Sequence, residues 1–356
     1  PLMSGETNCM PGYSSVPVIE DAYLKGFNGF DAEEALAAMK ATATYERQNG
    51  VPYVMAKGYI PADKIHEATS IAMEYAVDDW GIAAMAQKMG KTADYETFSK
   101  RAHYYKNYFD SSINFIRPKL EDGSWRTPYD PARSIHGVGD FCEGNGWQYT
   151  FFAPQDPYGL ISLFGGDKPF TSKLDSFFTN NDSMGEGASS DITGLIGQYA
   201  HGNEPSHHIA YLYTYAGEQW KTAEKVRFIM SDFYTDQPDG IIGNEDCGQM
   251  SAWYLLSAMG FYQVNPSDGV FAFGSPRFKK IEVKVRGGKV FTVEAPNNSK
   301  DNIYIQKVYL NGKPYHKSYI TYDDIINGST LKFEMGKKPA KNFGKASANR
   351  PIVLNK

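Results

Sequence analysis

Carboxylates set in glycine-bounded loops are the residues best placed to do chemistry in this sequence. The segment Asp140-Phe-Cys-Glu-Gly-Asn-Gly-Trp-Gln-Tyr-Thr puts Glu143 between a cysteine and a glycine, just ahead of Trp147. Glycine lets backbone come close to a ligand. A carboxyl beside an indole loses solvation, which raises its pKa and suits a general acid. The competing explanation is a loop Glu that caps the helix after it. A second segment, Gly240-Ile-Ile-Gly-Asn-Glu-Asp-Cys-Gly-Gln-Met-Ser-Ala-Trp, sets Glu245 beside Asp246 just before a helical stretch. In turn geometry neighbours point apart, so one can face a substrate water while the other holds a metal or a hydroxyl. Plain helix N-terminal charge, favoured by the macrodipole, explains the same pair.

Two further clusters stand out. In His201-Gly-Asn-Glu-Pro-Ser-His-His, Asn203 and Glu204 precede a proline at an expected first helical turn. Their oxygens and the loop carbonyls suit a hard cation such as Ca²⁺, whereas an N-cap role for Asn203 or Ser206 is the commoner use. His207 and His208 are adjacent, and a helix turns neighbours about 100° apart, so at least one is expected to be structural. Asp78-Asp79-Trp80 lies inside a helical pattern. Carboxylates beside Trp80 suggest a sugar subsite, with a surface Asp pair equally consistent. The chain has no HExxH zinc motif, no GxSxG elbow and no GxxxxGK[ST] phosphate loop. Cys142 adjoins Glu143 with nothing to signal a lowered thiol pKa. Carboxylate chemistry remains, and glycoside hydrolysis needs two carboxyl groups flanking one bond. Only the fold can bring Glu143 and Asp246 to such a bond.

Most of the chain that must position these loops reads as helix. Asp31 to Gln48 opens with Asp31 and Glu34 at capping-box spacing. Lys64 to Met89 carries apolar residues at helical spacing and stops at Gly90. Tyr95 to Phe109, Asp156 to Phe164, Leu174 to Phe178, Pro205 to Tyr215, Lys221 to Phe233 and Met250 to Met259 are further expected helices. After about Pro276 the period changes to two in Lys280-Ile-Glu-Val-Lys-Val, followed by a Gly287-Gly288 turn and Val290-Phe-Thr-Val-Glu. Ile303-Tyr-Ile-Gln-Lys-Val-Tyr-Leu runs into Asn311-Gly312, a hairpin signal, and Leu331-Lys-Phe-Glu-Met is another strand. The expected division is a helical catalytic portion over 1–275 and a β-rich element over 276–356, whose role is packing.

Bulk properties exclude several classes. The 356 residues are 42% hydrophobic and 22% charged, with a net charge of −5, an ordinary globular balance. Mild acidity argues against nucleic acid as a partner, and the Lys337-Lys338 and Lys341 cluster is too short to track a phosphate backbone. No apolar run is long enough to span a membrane. Three cysteines, Cys9, Cys142 and Cys247, define neither a disulfide framework nor a zinc pattern. The N-terminus lacks a signal peptide's features and enters a dense motif at once, as expected of a piece of a longer chain. Aromatic content of 14% fits sugar binding and a large helical interior alike.

The clusters, taken in order, resemble glycoside hydrolase family 92, the α-mannosidases common in gut bacteria. The matching segments are Glu6-Thr-Asn-Cys-Met with Ser15-Val-Pro-Val-Ile, Tyr75-Ala-Val-Asp-Asp-Trp, Cys142-Glu-Gly-Asn-Gly-Trp-Gln-Tyr, Phe164-Gly-Gly-Asp, Gly202-Asn-Glu-Pro-Ser-His-His and Gly243-Asn-Glu-Asp-Cys-Gly-Gln-Met-Ser-Ala-Trp-Tyr. Co-linear order over roughly the first 270 residues is far more specific than any one of them. The resemblance implies a mainly α fold, an (α/α)6 barrel normally preceded by an N-terminal β-sandwich; that sandwich and the first barrel helices are expected to lie outside this chain. It implies exo-hydrolysis of α-mannosides or N-glycans with inversion, helped by Ca²⁺, in an exported protein, with α-1,2 the expected linkage. In family terms Glu143 is the general acid; members that cleave mannosyl-phosphate bonds tend to carry Gln there. Asp246 is the general base. Some members have a second Asp where this chain has Asn244, which cannot act as a base. Glu204 and Asn203 map to the calcium region. Trp80, Asp79, Trp147, Glu245 and His207 are the expected sugar-side residues. The rival readings are a non-catalytic carbohydrate-binding fragment and another (α/α)6 glycosidase or phosphorylase.

Overall fold

A computed structural model describes residues 10–353. Most of the first matched segment, Cys9 included, lies outside them. Two compact units divide the chain: Pro1–Asp156 with Asp182–Ser190, and Pro157–Asn181 with Asp191–Lys356. Helices dominate the first unit, and the second mixes helices with small sheets.

The first unit is organised around the helix Ala68–Lys88, nearly all of whose 21 residues are buried. Alanine, Ile71, Met73, Ile82 and Met85 leave it apolar on every side, so it is a central helix. It packs against Ser15–Leu24, Ala32–Ala43 and Thr92–Ala102. Gly81 makes one crossing close: a Cβ there would sit 3.3 Å from Val16. The helix begins four residues later than the pattern suggests, because Glu67 adopts φ 55 and halts it. Ala32–Ala43 begins as expected, with Asp31 accepting hydrogen bonds from the amides of Glu33 and Glu34. The stretch Tyr95 to Phe109 divides into Thr92–Ala102 and the 3-10 turn Tyr104–Tyr108.

In the second unit, helices Gln219–Asp232 and Gln249–Met259 run as expected. Pro205 to Tyr215 is instead three short pieces, Glu204–Ser206, Ile209–Tyr211 and Leu212–Tyr215. A five-stranded sheet has the order Lys313–Tyr315, Tyr304–Leu310, Thr330–Gly336, Val290–Glu294, Lys280–Lys284. Its central pair, Thr330–Gly336 with Val290–Glu294, is parallel. Both anticipated hairpins form, and Asn311 (φ 51) with Gly312 (φ 77) supplies the left-handed pair that a tight hairpin needs. A three-stranded sheet, Tyr319–Thr321, Val270–Phe273, Phe261–Gln263, was not anticipated. Val270–Phe273 is buried at every position, so it lacks the alternation by which a half-exposed strand is recognised. Phe261, Phe273, Phe291, Ile305 and Phe333 fill the core between the sheets.

Candidate functional site

Glu143 sits half-buried in a loop tied to the start of the central helix. Glu67 N donates to Gly139 O at 2.7 Å, Thr69 N to Asp140 O at 3.2 Å, and Cys142 N to Ser70 Oγ at 2.8 Å. Arg126 clamps Asp140 at 2.9 Å. Beyond the loop, Asn145 and Gln148 form a capping box that starts Gly146–Thr150, so Asn145, not Glu143, caps that helix. Tyr149 Oη donates back to Cys142 O at 3.0 Å. Between these anchors Glu143 is held at φ 44, a conformation non-glycine residues seldom adopt. Trp147 is buried, edge-on to Phe115 at 4.7 Å. Burial raises the Cys142 thiol, with the carboxylates of Glu67 and Glu143 adding to the effect. That thiol is therefore no nucleophile at neutral pH.

Asp79 and Trp80 lie inside the central helix, 1% and 5% exposed. The Asp79 carboxylate accepts from Arg101 Nε at 2.7 Å and from Tyr13 Oη at 2.5 Å. Asp78 accepts from Tyr13 N at 2.7 Å. Burial pushes Asp78 up to about 8, and the neighbouring Asp79 charge adds to the shift. Burial also raises Asp79, to about 6, against the pull of Arg101. The pair is enclosed rather than at the surface, and it anchors the chain at Tyr13.

In the second unit the loops of the two other clusters meet backbone to backbone. A Cβ on Gly243 would lie 2.5 Å from Gly202 O, and one on Gly202 would overlap Thr193. This contact joins the Asn203–Glu204 turn to the Glu245–Asp246 loop. Asp246 (φ 42), Cys247 (φ 55) and Gly248 (φ 93) are left-handed in succession, which swings the chain into Gln249–Met259. The two carboxylates point to different tasks. Glu245 accepts from Ser251 N at 3.0 Å and Ser251 Oγ at 2.9 Å, capping the helix start. Asp246 is exposed. Asn244 donates to Asp191 Oδ1 at 3.1 Å.

His207 is 2% exposed, with both ring nitrogens engaged inside the protein. Nε2 lies 2.9 Å from His201 O, an acceptor, so Nε2 carries the proton and Nδ1 accepts from Gln249 Nε2 at 3.0 Å. Burial lowers its pKa to about 4, while the Asp246 charge pulls the other way. The imidazole is neutral at pH 7. His201 is likewise neutral, pushed down by burial and bracketed by Tyr199 and Tyr234 hydroxyls at 2.8 Å each. Trp253 Nε1 donates to His207 O at 3.0 Å. His208 is buried too.

Among the described residues, no group of three or more His, Cys, Asp or Glu is arranged to hold a metal. Asn203 is buried and Glu204 half-buried at the turn Glu204–Ser206. Two oxygen-bearing side chains are compatible with Ca²⁺, which takes roughly six to eight oxygens and accepts carbonyls, waters and hydroxyls for the remainder. Sequence reasoning passed over Glu67, which lines a 370 Å³ cavity with Gln48, Asn49, Lys64, His66 and Tyr75. Its left-handed backbone is the distinguishing sign, and a helix-like pattern hides it. It also passed over Gln249, which holds His207.

The model of the glycosyl hydrolase family 92 catalytic domain matches residues 1–337. The chain belongs to glycoside hydrolase family 92. It is 41% identical to the family 92 α-mannosidase BT3965 of Bacteroides thetaiotaomicron, solved with mannoimidazole, at a TM-score of 0.95 over 98% of this chain and 47% of that one. The inverting mannosidase BT2199 of the same organism is 35% identical, with a TM-score of 0.89 over 99% of this chain and 50% of that one. An uncharacterised secreted glycosidase of Arthroderma benhamiae is 28% identical over 92% of this chain and 45% of its own length. The family 92 chain described above thus spans about half the length of these relatives.

Proposed function

We propose that this chain carries the acid and the base of a calcium-assisted, inverting exo-α-mannosidase. Glu143 protonates the leaving oxygen, and Asp246 takes a proton from the attacking water, the division of labour that inversion requires. The observation behind this reading is the backbone state the two residues share. Both are non-glycine residues held at φ near +43, at 44 and 42, in loops fixed by hydrogen bonds and glycine contacts. Such conformations cost about 1–3 kcal/mol each and persist where the surroundings over-determine them, often at functional sites. Asn244 cannot take a proton, which leaves Asp246 as the base of its loop. Trp147, Glu245 and His207 adjoin the acid and base and are the sugar-side residues. Asp79 and Trp80, enclosed in the central helix, serve the sugar by holding that helix. Asn203 and Glu204 would hold Ca²⁺, which when bound grips vicinal sugar hydroxyls and polarises them.

The whole enzyme in this reading is an (α/α)6 barrel joined to a β-sandwich, exported, and acting on terminal α-1,2-mannose of mannosides or N-glycans. The mannosidase relatives and the secreted fungal relative support it. Proton NMR of α-1,2-mannobiose with this chain, with and without a calcium chelator, tests it. Early β-mannose that stops on chelation is the expected result, and early α-mannose would overturn inversion. Sugar binding without product would favour the second reading, a carbohydrate-binding fragment, which the half-length match to the relatives makes specific.

A further inference from the structure

Away from those loops, the second unit contains a cavity of about 630 Å³ whose charge is of one sign. Arg227, Arg277, Lys279 and Lys300 line it, and no carboxylate does. Arg227 is 5% exposed. Its guanidinium donates to Pro276 O, Asn298 Oδ1 and Ser299 O, all neutral acceptors. Buried guanidinium groups are normally paired with an anion, because a lone buried charge is costly. Burial, and secondarily the Arg277 charge, lower the Arg227 pKa to about 10, so it stays cationic at neutral pH. Arg277 makes one long side-chain bond, 3.4 Å to Ser231 Oγ. None of the four cations takes part in an ion pair among the described residues.

The cavity is built rather than incidental. The Asn298 amide accepts from Arg227 and donates from Nδ2 to Arg277 O at 2.7 Å, so one side chain sets both arginines. Arg277 N donates to Ala258 O at 2.9 Å, which fixes that strand exit against Gln249–Met259. Rigid guanidinium forks match tetrahedral oxyanions in geometry, and lysines at the edge add point charge.

We propose that this cavity binds a phosphate or sulfate group, with Arg227 and Arg277 at its base and Lys279 and Lys300 at its rim. The group arrives either as a free anion or as an ester on a saccharide. Binding is separate from hydrolysis, so its failure leaves the mannosidase reading untouched.

Calorimetric titration of the whole chain with inorganic phosphate and sulfate, against chloride at matched ionic strength, tests this. Saturable binding of the oxyanions but not of chloride is expected. Arg277→Gln, which removes a partly exposed group with a single weak bond, should weaken binding about tenfold or more, the loss expected for one charged hydrogen-bonding partner. Lys279→Gln should weaken it less. Tighter binding of mannose 6-phosphate than of inorganic phosphate, with mannose itself silent, would identify the ester as the source; the reverse order would identify the free anion. Heat that follows ionic strength alone, or affinity unchanged in Arg277→Gln with native circular dichroism, would overturn the proposal.

Discussion

Glu143 and Asp246, the proposed acid and base, differ in their surroundings. Glu143 is half-buried beside Cys142, while Asp246 is exposed beside a neutral His207. A general acid contributes about 10²- to 10⁴-fold when the leaving group needs a proton. Glu143→Gln should therefore lower kcat/KM by that much on mannobiose and by far less on an activated aryl mannoside. Equal losses on both substrates would remove Glu143 from the acid's role. Glu245 can be separated from its neighbour by a different measurement. Its bonds to Ser251 are those of a helix cap, and Glu245→Ala should cost about 0.5–2 kcal/mol in urea unfolding. The sequence offered both roles for this adjacent pair. Which carboxylate takes which depends on three successive left-handed residues, and only one of those is a glycine.

At the scale of elements, the loops were legible and their supports were not. The glycines of Gly202-Asn-Glu and Gly243-Asn-Glu stand in the sequence as motif residues. That they touch each other depends on a contact between positions about forty residues apart, which no local pattern encodes. The contact makes a prediction. Gly243→Ala adds a methyl 2.5 Å from Gly202 O at φ 74 and must part the two loops. Displacing a reacting group by about 1 Å can cost 10²-fold, so mannoside hydrolysis should fall by about that much while far-UV circular dichroism is unchanged. Retained activity would detach the Asn203–Glu204 turn from the work of Asp246. The central helix was read correctly in type and end, since Gly90 stops it. Its start was misplaced because Glu67 carries no sign in the sequence of its unusual φ. The broken stretch after Pro205 was read as one helix because its apolar spacing is helical, although three short turns satisfy the same spacing.

For the whole molecule, the buried Asp78 links stability to pH. Its carboxyl titrates near 8 in the fold against a reference value of 3.8. A raised carboxyl favours the fold below its unfolded pKa, and that contribution is lost as pH rises through the folded value. His207, depressed to about 4, acts in the opposite direction, but only below about 6.5. Between about pH 6.5 and 8 Asp78 should therefore contribute a fall of up to about 1.4 kcal/mol per pH unit, to which His103, raised by its bond to Asp156, adds as it loses its proton. Thermal midpoints should fall across that window. Asp78→Asn keeps an oxygen for Tyr13 N and should flatten the fall; an unchanged slope would mean that Asp78 is ionised in the fold. The family was legible at this scale from co-linear motifs alone. The three-stranded sheet was not, because Val270–Phe273 is apolar throughout and one of its two partner strands lies some fifty residues on.

The position of Cys247 has a practical consequence. It is exposed directly after Asp246, whereas Cys142 is buried. With Cys9 replaced by serine, an alkylating dye would tag the loop of the proposed base and spare the other thiol. The rate of tagging then becomes an occupancy meter for that loop. It would report sugar or metal arriving there without a single turnover, and would keep working in variants whose catalysis has been abolished.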